Sequence, residues 1–172
     1  MAAGVVISLI GMVVNFFHTR HLHKQKFRQD FELQEFRDVL KTPINDVWRK
    51  FEVVAEKIQA ILDTNVNCQQ RALEAANLQQ ELYGRAYDDL YAVMVKANAT
   101  KFVGGSDWLE LIEDQFDQIV NGFDKLANPS NSEERQREGG KEILLGIQQT
   151  KAILQSRIDG EASRIIDGKK AS

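Results

Sequence analysis

The residues of this chain that could carry chemistry are three histidines, one cysteine and a series of carboxylates. His18, His21 and His23 lie within six residues, and the spacing of three between the first two places both imidazoles on one helical face. Two imidazoles without a nearby carboxylate make a poor metal site. Cys68 has no histidine near it in the sequence to activate its thiol. We therefore predict no metal, no cofactor and no enzymatic activity.

The carboxylates are densest in a helix predicted to begin at Asp107, which forms a capping-box pair with Glu110. The apolar residues that follow alternate at intervals of three and four, a heptad pattern typical of packed helices. Dense carboxylates can bind a divalent cation, but these are scattered and lack the compact loop of an EF-hand. A solvated face that attracts a basic partner, for example the basic cluster of another copy, is the preferred interpretation. The residues of this acidic face are Glu110, Glu113, Asp114 and Asp117.

The start of the chain is apolar. Residues 2–17 carry no charge, and as a helix they would span about 24 Å, against about 30 Å of bilayer hydrocarbon. Positive charges follow only on the C-terminal side, whereas a cleaved signal peptide carries them in front. The positive-inside rule then predicts a single-pass membrane protein with its N-terminus outside and residues 18–172 in the cytoplasm. A core helix of a soluble bundle is the alternative. The predicted headgroup-facing basic cluster is Arg20, Lys24, Lys26 and Arg28.

Four small or polar side chains share one face of this apolar segment. Spacings of four, three and four residues place their directions within about 60° of one another. In lipid, small residues let helices approach closely, and an Asn amide needs a partner. Self-association of several copies and packing against the chain's own later helices both fit this pattern. The stripe consists of Gly4, Ser8, Gly11 and Asn15.

The remainder of the chain has helical periodicity. Residues 1–20 form the predicted anchor, 21–41 a basic amphipathic juxtamembrane helix, 42–168 a helical bundle and 169–172 a flexible tail. Thr42 and Pro43 have the types of an N-cap and a first helical residue, so a new helix is predicted there. Its apolar seam is strong as far as Leu62, and residues 63–67 are interpreted as a weak point in one long helix rather than a turn.

Two further predictions concern the second half of the bundle. From residue 69 to 97 the seam is predicted to contain Leu73, Ala76, Tyr83, Tyr87, Leu90, Met94 and Ala97. The polar residues 130–142 have no apolar anchor and are interpreted as a solvated turn or a mobile connection. A phosphate loop at Gly139 and Gly140 is excluded because the full motif and a preceding strand are missing. The last helix is therefore predicted to begin near Lys141, with Gly146 and Gly160 allowing a neighbour to approach closely.

Composition agrees with one all-α domain. The chain has 172 residues, with 22 basic and 25 acidic side chains and a formal net charge of −3. Nucleic-acid binding is not indicated, since binders usually carry a basic surplus. No small-molecule substrate is evident. The economical architecture is an antiparallel, coiled-coil-like bundle following the apolar helix.

Two non-enzymatic functions fit these features. In the first, the protein is anchored in the bilayer and its bundle self-associates or docks another membrane or cytoplasmic protein. In the second, several copies assemble through the N-terminal helix and permeabilise the membrane, as a toxin or defence effector would. A glycine-containing apolar N-terminal helix followed by a small helical bundle is similar to the arrangement in helical cell-death domains of the HeLo type. This resemblance is architectural and carries over no residues.

Overall fold

The computed structural model describes residues 19–20, 22–100, 102 and 108–167, and every regular element in these ranges is helical. The prediction of an all-α protein is confirmed. Two π-helical segments (Arg37–Lys41 and Gln79–Tyr83) and a 3-10 segment (Glu110–Ile112) accompany the α-helices. The α-helices are α1 (residues 22–36), α2 (Thr42–Asp63), α3 (Cys68–Leu78), α4 (Gly84–Asn98), α5 (Glu113–Leu126) and α6 (Glu133–Ile166).

Helices α1 and α2 form one uninterrupted arm. Helix α2 begins at Thr42 as predicted, but the residue before it, Lys41, is itself helical and no side chain caps this end. The predicted Thr42 N-cap is therefore wrong. The Thr42 amide instead donates to the carbonyl of Arg37, five residues back. We attribute this wider turn to Pro43, which cannot donate a backbone hydrogen bond and crowds the turn before it.

Helix α6 runs antiparallel to this arm along its whole length. Near one end, Arg137 donates from Nη1 to the carbonyl oxygen of Leu62 at 2.8 Å. Near the other, Gln29 donates from Nε2 to the carbonyl oxygen of Ile166 at 3.4 Å. The beginning of α1 and the end of α6 therefore lie together at one pole of the molecule.

Helix α6 is longer than predicted. It begins at Glu133 rather than near Lys141, and Ser132 caps it by accepting a hydrogen bond from the Arg135 amide at 3.3 Å. Residues 130–142 are thus mostly ordered helix, although they contain no apolar anchor. The buried residues of this part of α6 are Gln136, Gly139 and Gly140.

Glycines set the distance between α5 and α6. A Cβ on Gly146 would lie 2.6 Å from Cγ1 of Ile119, which confirms its predicted role in close approach. Gly160 has nothing within 4 Å of such a Cβ, so the same prediction is wrong there. Gly139, where a phosphate loop was excluded from the sequence, contacts the backbone of α5.

The predicted long helix through residues 63–67 is wrong, because the chain turns there. Helix α2 ends at Asp63, and Thr64 adopts an extended conformation with ψ of 134°. The Asn67 side chain then caps α3 by accepting a hydrogen bond from the Gln70 amide at 2.8 Å. Poor helix formers with side chains that bond to the backbone favour this reversal even without glycine or proline.

The predicted seam holds in α4 for Leu90, Met94 and Ala97 but is displaced in α3. Leu73 and Ala76 are exposed, whereas Ala72 and Ala75 are buried. The cause is the π-helical segment Gln79–Tyr83, which holds one residue more than a regular α-helical turn. A heptad pattern extended from α4 towards the N-terminus therefore predicts the exposed face of α3 instead of the buried one.

Helix α5 keeps its predicted heptad but not its predicted start. It begins at Glu113, after the 3-10 segment, and no side chain caps it. Asp107 of the predicted capping box lies outside the described residues. The buried seam residues of α5 and the 3-10 segment are Ile112, Phe116, Ile119, Phe123 and Leu126.

Candidate functional site

The described ranges contain no group of three His, Cys, Asp or Glu side chains placed to hold a metal ion. Within the same ranges no helix combines the length and the apolar content needed to cross a bilayer. The segment predicted to do so, residues 2–17, lies outside them, as does its stripe Gly4, Ser8, Gly11 and Asn15. The candidate binding surfaces of the described residues lie on the outside of the bundle.

The first candidate surface is the free end of α1. Phe27 and Phe31 are four residues apart and 75% and 61% exposed, an unusual exposure for phenylalanine. At about 100° per residue, both point almost opposite to Phe36, which is buried in the core. This helix therefore holds two aromatic rings away from its own protein.

The predicted basic cluster surrounds these two rings. All four of its cations are exposed, and Lys24 and Arg20 lie about one and two turns before Phe27, respectively, on the same face. Two further apolar side chains, Leu22 and Ile166, are at least half exposed at the same pole. We name this surface the basic aromatic pole; it comprises Arg20, Leu22, Lys24, Lys26, Phe27, Arg28, Phe31 and Ile166.

The predicted acidic face is exposed but does not form one cluster. At about 100° per residue, Glu113 lies about 60° from Phe116, on the side of α5 that turns towards α4. Asp117 lies farther round the helix and, together with Asp114 and Arg135 of α6, lines a surface depression. Glu110 precedes the helix in the 3-10 segment.

The second candidate surface lies between α4 and α5. These helices run antiparallel, because Tyr83 packs on Phe123 and Tyr87 packs on Phe116, with ring centroids 5.0 Å apart in both pairs. The sequence identified Tyr83 and Tyr87 as core positions, and Tyr83 is indeed buried. Tyr87, in contrast, is 38% exposed.

The exposed side of α4 continues this aromatic surface. Tyr91 and Val95 follow Tyr87 at intervals of four residues and are 50% and 48% exposed. Across the gap, Val120 of α5 is also exposed. We name this surface the acidic aromatic groove. It is defined by Tyr83 at the end of the π-helical segment, Tyr87 and Tyr91 of α4, and Glu113, Phe116 and Asp117 of α5.

Tyr83 leaves an unsatisfied polar atom beneath this groove. Its hydroxyl is buried and has no hydrogen-bond partner among the described residues. Burial raises the pKa of Tyr83 far above its usual value, and Tyr87 and the charge of Asp117 raise it further. The phenol therefore stays neutral and keeps both a donor and an acceptor unused.

A buried polar cluster around Arg71 links two turns of the bundle. Arg71 is fully buried, and its Nη2 lies 3.2 Å from the carbonyl oxygen of Val66. Gln136 donates from Nε2 to the carbonyl oxygens of Cys68 and Asn128 at 2.9 and 3.0 Å, which links the α2–α3 and α5–α6 turns. Sequence reasoning missed both residues, because an isolated Arg or Gln on a polar stretch gives no signal of burial.

Comparison with known proteins gives no assignment. No family model, no curated protein and no solved structure matches this chain.

Proposed function

We propose that this protein is a membrane-anchored, non-enzymatic docking protein. Residues 1–20 hold it in a bilayer as a single-pass anchor, and the basic aromatic pole lies on the cytoplasmic headgroups. The bundle carries a binding surface for a partner on the cytoplasmic side. The observation that carries this proposal is the exposure of Phe27 and Phe31 among four cations, directly after an uncharged segment.

The chemistry of the pole fits a lipid headgroup region. Aromatic rings with basic neighbours are typical of helices that lie at a membrane surface. Each Lys or Arg close to an anionic leaflet contributes about 1 kcal/mol of attraction. In water, the same exposed phenylalanine rings would bury no apolar surface and would therefore contribute no hydrophobic stabilisation.

The bundle also fixes the orientation of the pole. Phe36 packs edge-on against Phe102 with ring centroids 5.5 Å apart, and Leu40 is fully buried. The Gln29 side chain ties α1 to the end of α6. A helix held in this way presents its outward face to a flat surface without first having to fold, which lowers the entropic cost of binding.

Cell fractionation of the full chain tests the anchor. We expect the protein in the membrane pellet, resistant to high salt and released by non-ionic detergent. Deletion of residues 1–20 should move a folded bundle to the aqueous fraction. A full chain that remains in the aqueous fraction without detergent contradicts the proposal.

Vesicle leakage separates docking from permeabilisation. Full-length protein inserted into dye-filled vesicles should retain the dye if its N-terminal segment only anchors it. Dye release that is abolished by Gly11→Leu would instead support permeabilisation through the small-residue stripe.

A further inference from the structure

The acidic aromatic groove has the exposed apolar surface of a helix-binding site. Tyr87, Tyr91 and Val95 form a ridge with a spacing of four residues, and Phe116 lies under its edge. A ridge of this spacing matches the anchor positions of an amphipathic helix, which recur at three and four residues. Tyrosines are also enriched where proteins bind one another.

The charge of the groove selects the partner. Glu113 and Asp117 are exposed on its α5 side, and Asp88 is exposed on α4. An arginine or lysine of a bound helix can pair with these carboxylates and stack on a tyrosine ring at the same time. An acidic helix would be repelled.

The Tyr83 hydroxyl is a second, independent sign that something binds here. A buried polar atom without a partner costs the folded protein about 1–3 kcal/mol. The Tyr83 ring lies 6.4 Å from the Tyr87 ring between centroids, and its hydroxyl is close enough to Asp117 for that charge to influence it. A donor carried by a bound side chain would satisfy it.

We propose that the acidic aromatic groove between α4 and α5 binds a basic amphipathic helix of a partner protein. The partner's apolar anchors lie along Tyr87 and Tyr91, and its cations face Glu113 and Asp117. This inference deepens the proposed function by naming the class of partner. It rests on that function only for the placement of the groove on the cytoplasmic side of the membrane.

Helix α1 of a second copy is a less suitable occupant. Phe36 packs near the end of α4 through Phe102, and Arg28 lies about 12 Å farther out along α1 at 1.5 Å per residue. In two copies anchored in the same membrane, the α1 helices would lie at the same height. Helix α1 of one copy would therefore face α1 of the other copy rather than its groove. The cations of the pole are also occupied by headgroups in the proposed function.

Fluorescence anisotropy of the full chain in non-ionic detergent tests the groove. The probe is a labelled 18-residue helical peptide of Leu, Lys and Arg, about 27 Å long, and the control peptide has Glu in place of its cations. The double variant Asp117→Asn with Glu113→Gln should weaken binding about tenfold, since each exposed ion pair contributes up to about 1 kcal/mol. Tyr83→Phe should weaken it about fivefold. The matched control, Glu56→Gln with Glu134→Gln, makes the same charge change on exposed residues of α2 and α6 and should change binding less than about twofold.

The outcomes are distinct. Saturable binding of the basic probe that falls in the groove variants, but not in the matched control, supports the proposal. No saturable binding, or equal losses in both double variants, overturns it. A synthetic peptide of residues 19–36 that binds the groove more tightly than the probe would assign the surface to a second copy and overturn the choice of partner. Fractionation of the same preparations reports the anchor separately, so failure of membrane attachment is not confused with failure of the groove.

Discussion

Gly122 of α5 and Gly139 of α6 lie in direct backbone contact. A Cβ on Gly122 would lie 2.7 Å from the carbonyl oxygen of Gly139, and a Cβ on Gly139 would lie 2.5 Å from the carbonyl oxygen of Gly122. The clash on each side is with main chain, which cannot rotate away as a flexible side chain can. These two glycines therefore fix the separation between α5, which forms one side of the acidic aromatic groove, and α6, which packs along the arm.

The substitution Gly139→Ala should lower the free energy of unfolding by about 1–3 kcal/mol, as expected for overpacking. The control Gly160→Ala places its methyl group in open space in the same helix. It should raise the free energy of unfolding by about 0.5–1 kcal/mol, because alanine favours helix over glycine. Urea unfolding followed by circular dichroism in non-ionic detergent measures both. Equal effects of the two substitutions would contradict the contact.

Deletion of Gln80 should leave the fold intact. Gln80 is exposed within the π-helical segment Gln79–Tyr83. Its removal places Ala75 seven residues before Tyr83, so a regular α-helix would align both buried faces. We expect the deletion variant to unfold cooperatively at a temperature close to that of the original chain.

The matched control is deletion of Asp88, an exposed residue of α4 outside the π-helical segment. This deletion rotates the seam on one side of it by about 100°, and no extra residue is present to compensate. Loss of the cooperative transition is expected. If both deletions are equally harmful, the π-helical segment does not have the role in register assigned to it.

Acid should destabilise the bundle partly through Glu133. The hydrogen bond and charge of Arg137, together with Arg71, lower the pKa of Glu133 below its usual value of 4.5. Because the folded pKa is lower, this stabilisation is present above pH 4.5 and is lost as the pH falls through the folded value. Glu133→Gln should reduce the fall in melting temperature in this acidic range, and Glu134→Gln in the same turn should have a smaller effect. Identical acid profiles for both variants would refute the assignment.

Removal of the Tyr83 hydroxyl should not destabilise the isolated protein. Tyr83→Phe keeps the ring contacts with Phe51 and Phe123 and removes a polar atom that has no partner within the described part of the chain. We expect the free energy of unfolding to stay constant or to rise by about 1 kcal/mol. A clear loss of stability would mean that the hydroxyl is already satisfied, and it would weaken the case for a bound partner.

The sequence was sufficient for the helical class and for the faces of α2, α4 and α5, because long apolar seams at intervals of three and four leave little choice. Asn128 and Pro129 follow the end of α5 at Leu126, and both residue types are typical of positions just after a helix. In these regions local periodicity and tertiary packing agree.

Other features depend on tertiary structure. The face of α3 was misplaced because one additional residue in a π-helical segment shifts the register without changing composition. The start of α6 was missed because Gln136 and two glycines, rather than apolar side chains, anchor it. The residues of the predicted acidic face are exposed, but their positions relative to the tyrosines depend on how α4 and α5 pair, which the sequence alone does not show.

The most direct test of the membrane account measures the depth of Phe27. A bimane fluorophore is attached to Phe27→Cys, and in a matched protein to Tyr91→Cys, both in a Cys68→Ser background. Each full chain is inserted into anionic vesicles that contain lipids brominated close to the headgroup. We predict strong quenching at position 27 and none at position 91. If brominated lipid changes the fluorescence equally at positions 27 and 91, or at neither position, the placement of the basic aromatic pole on the membrane is contradicted.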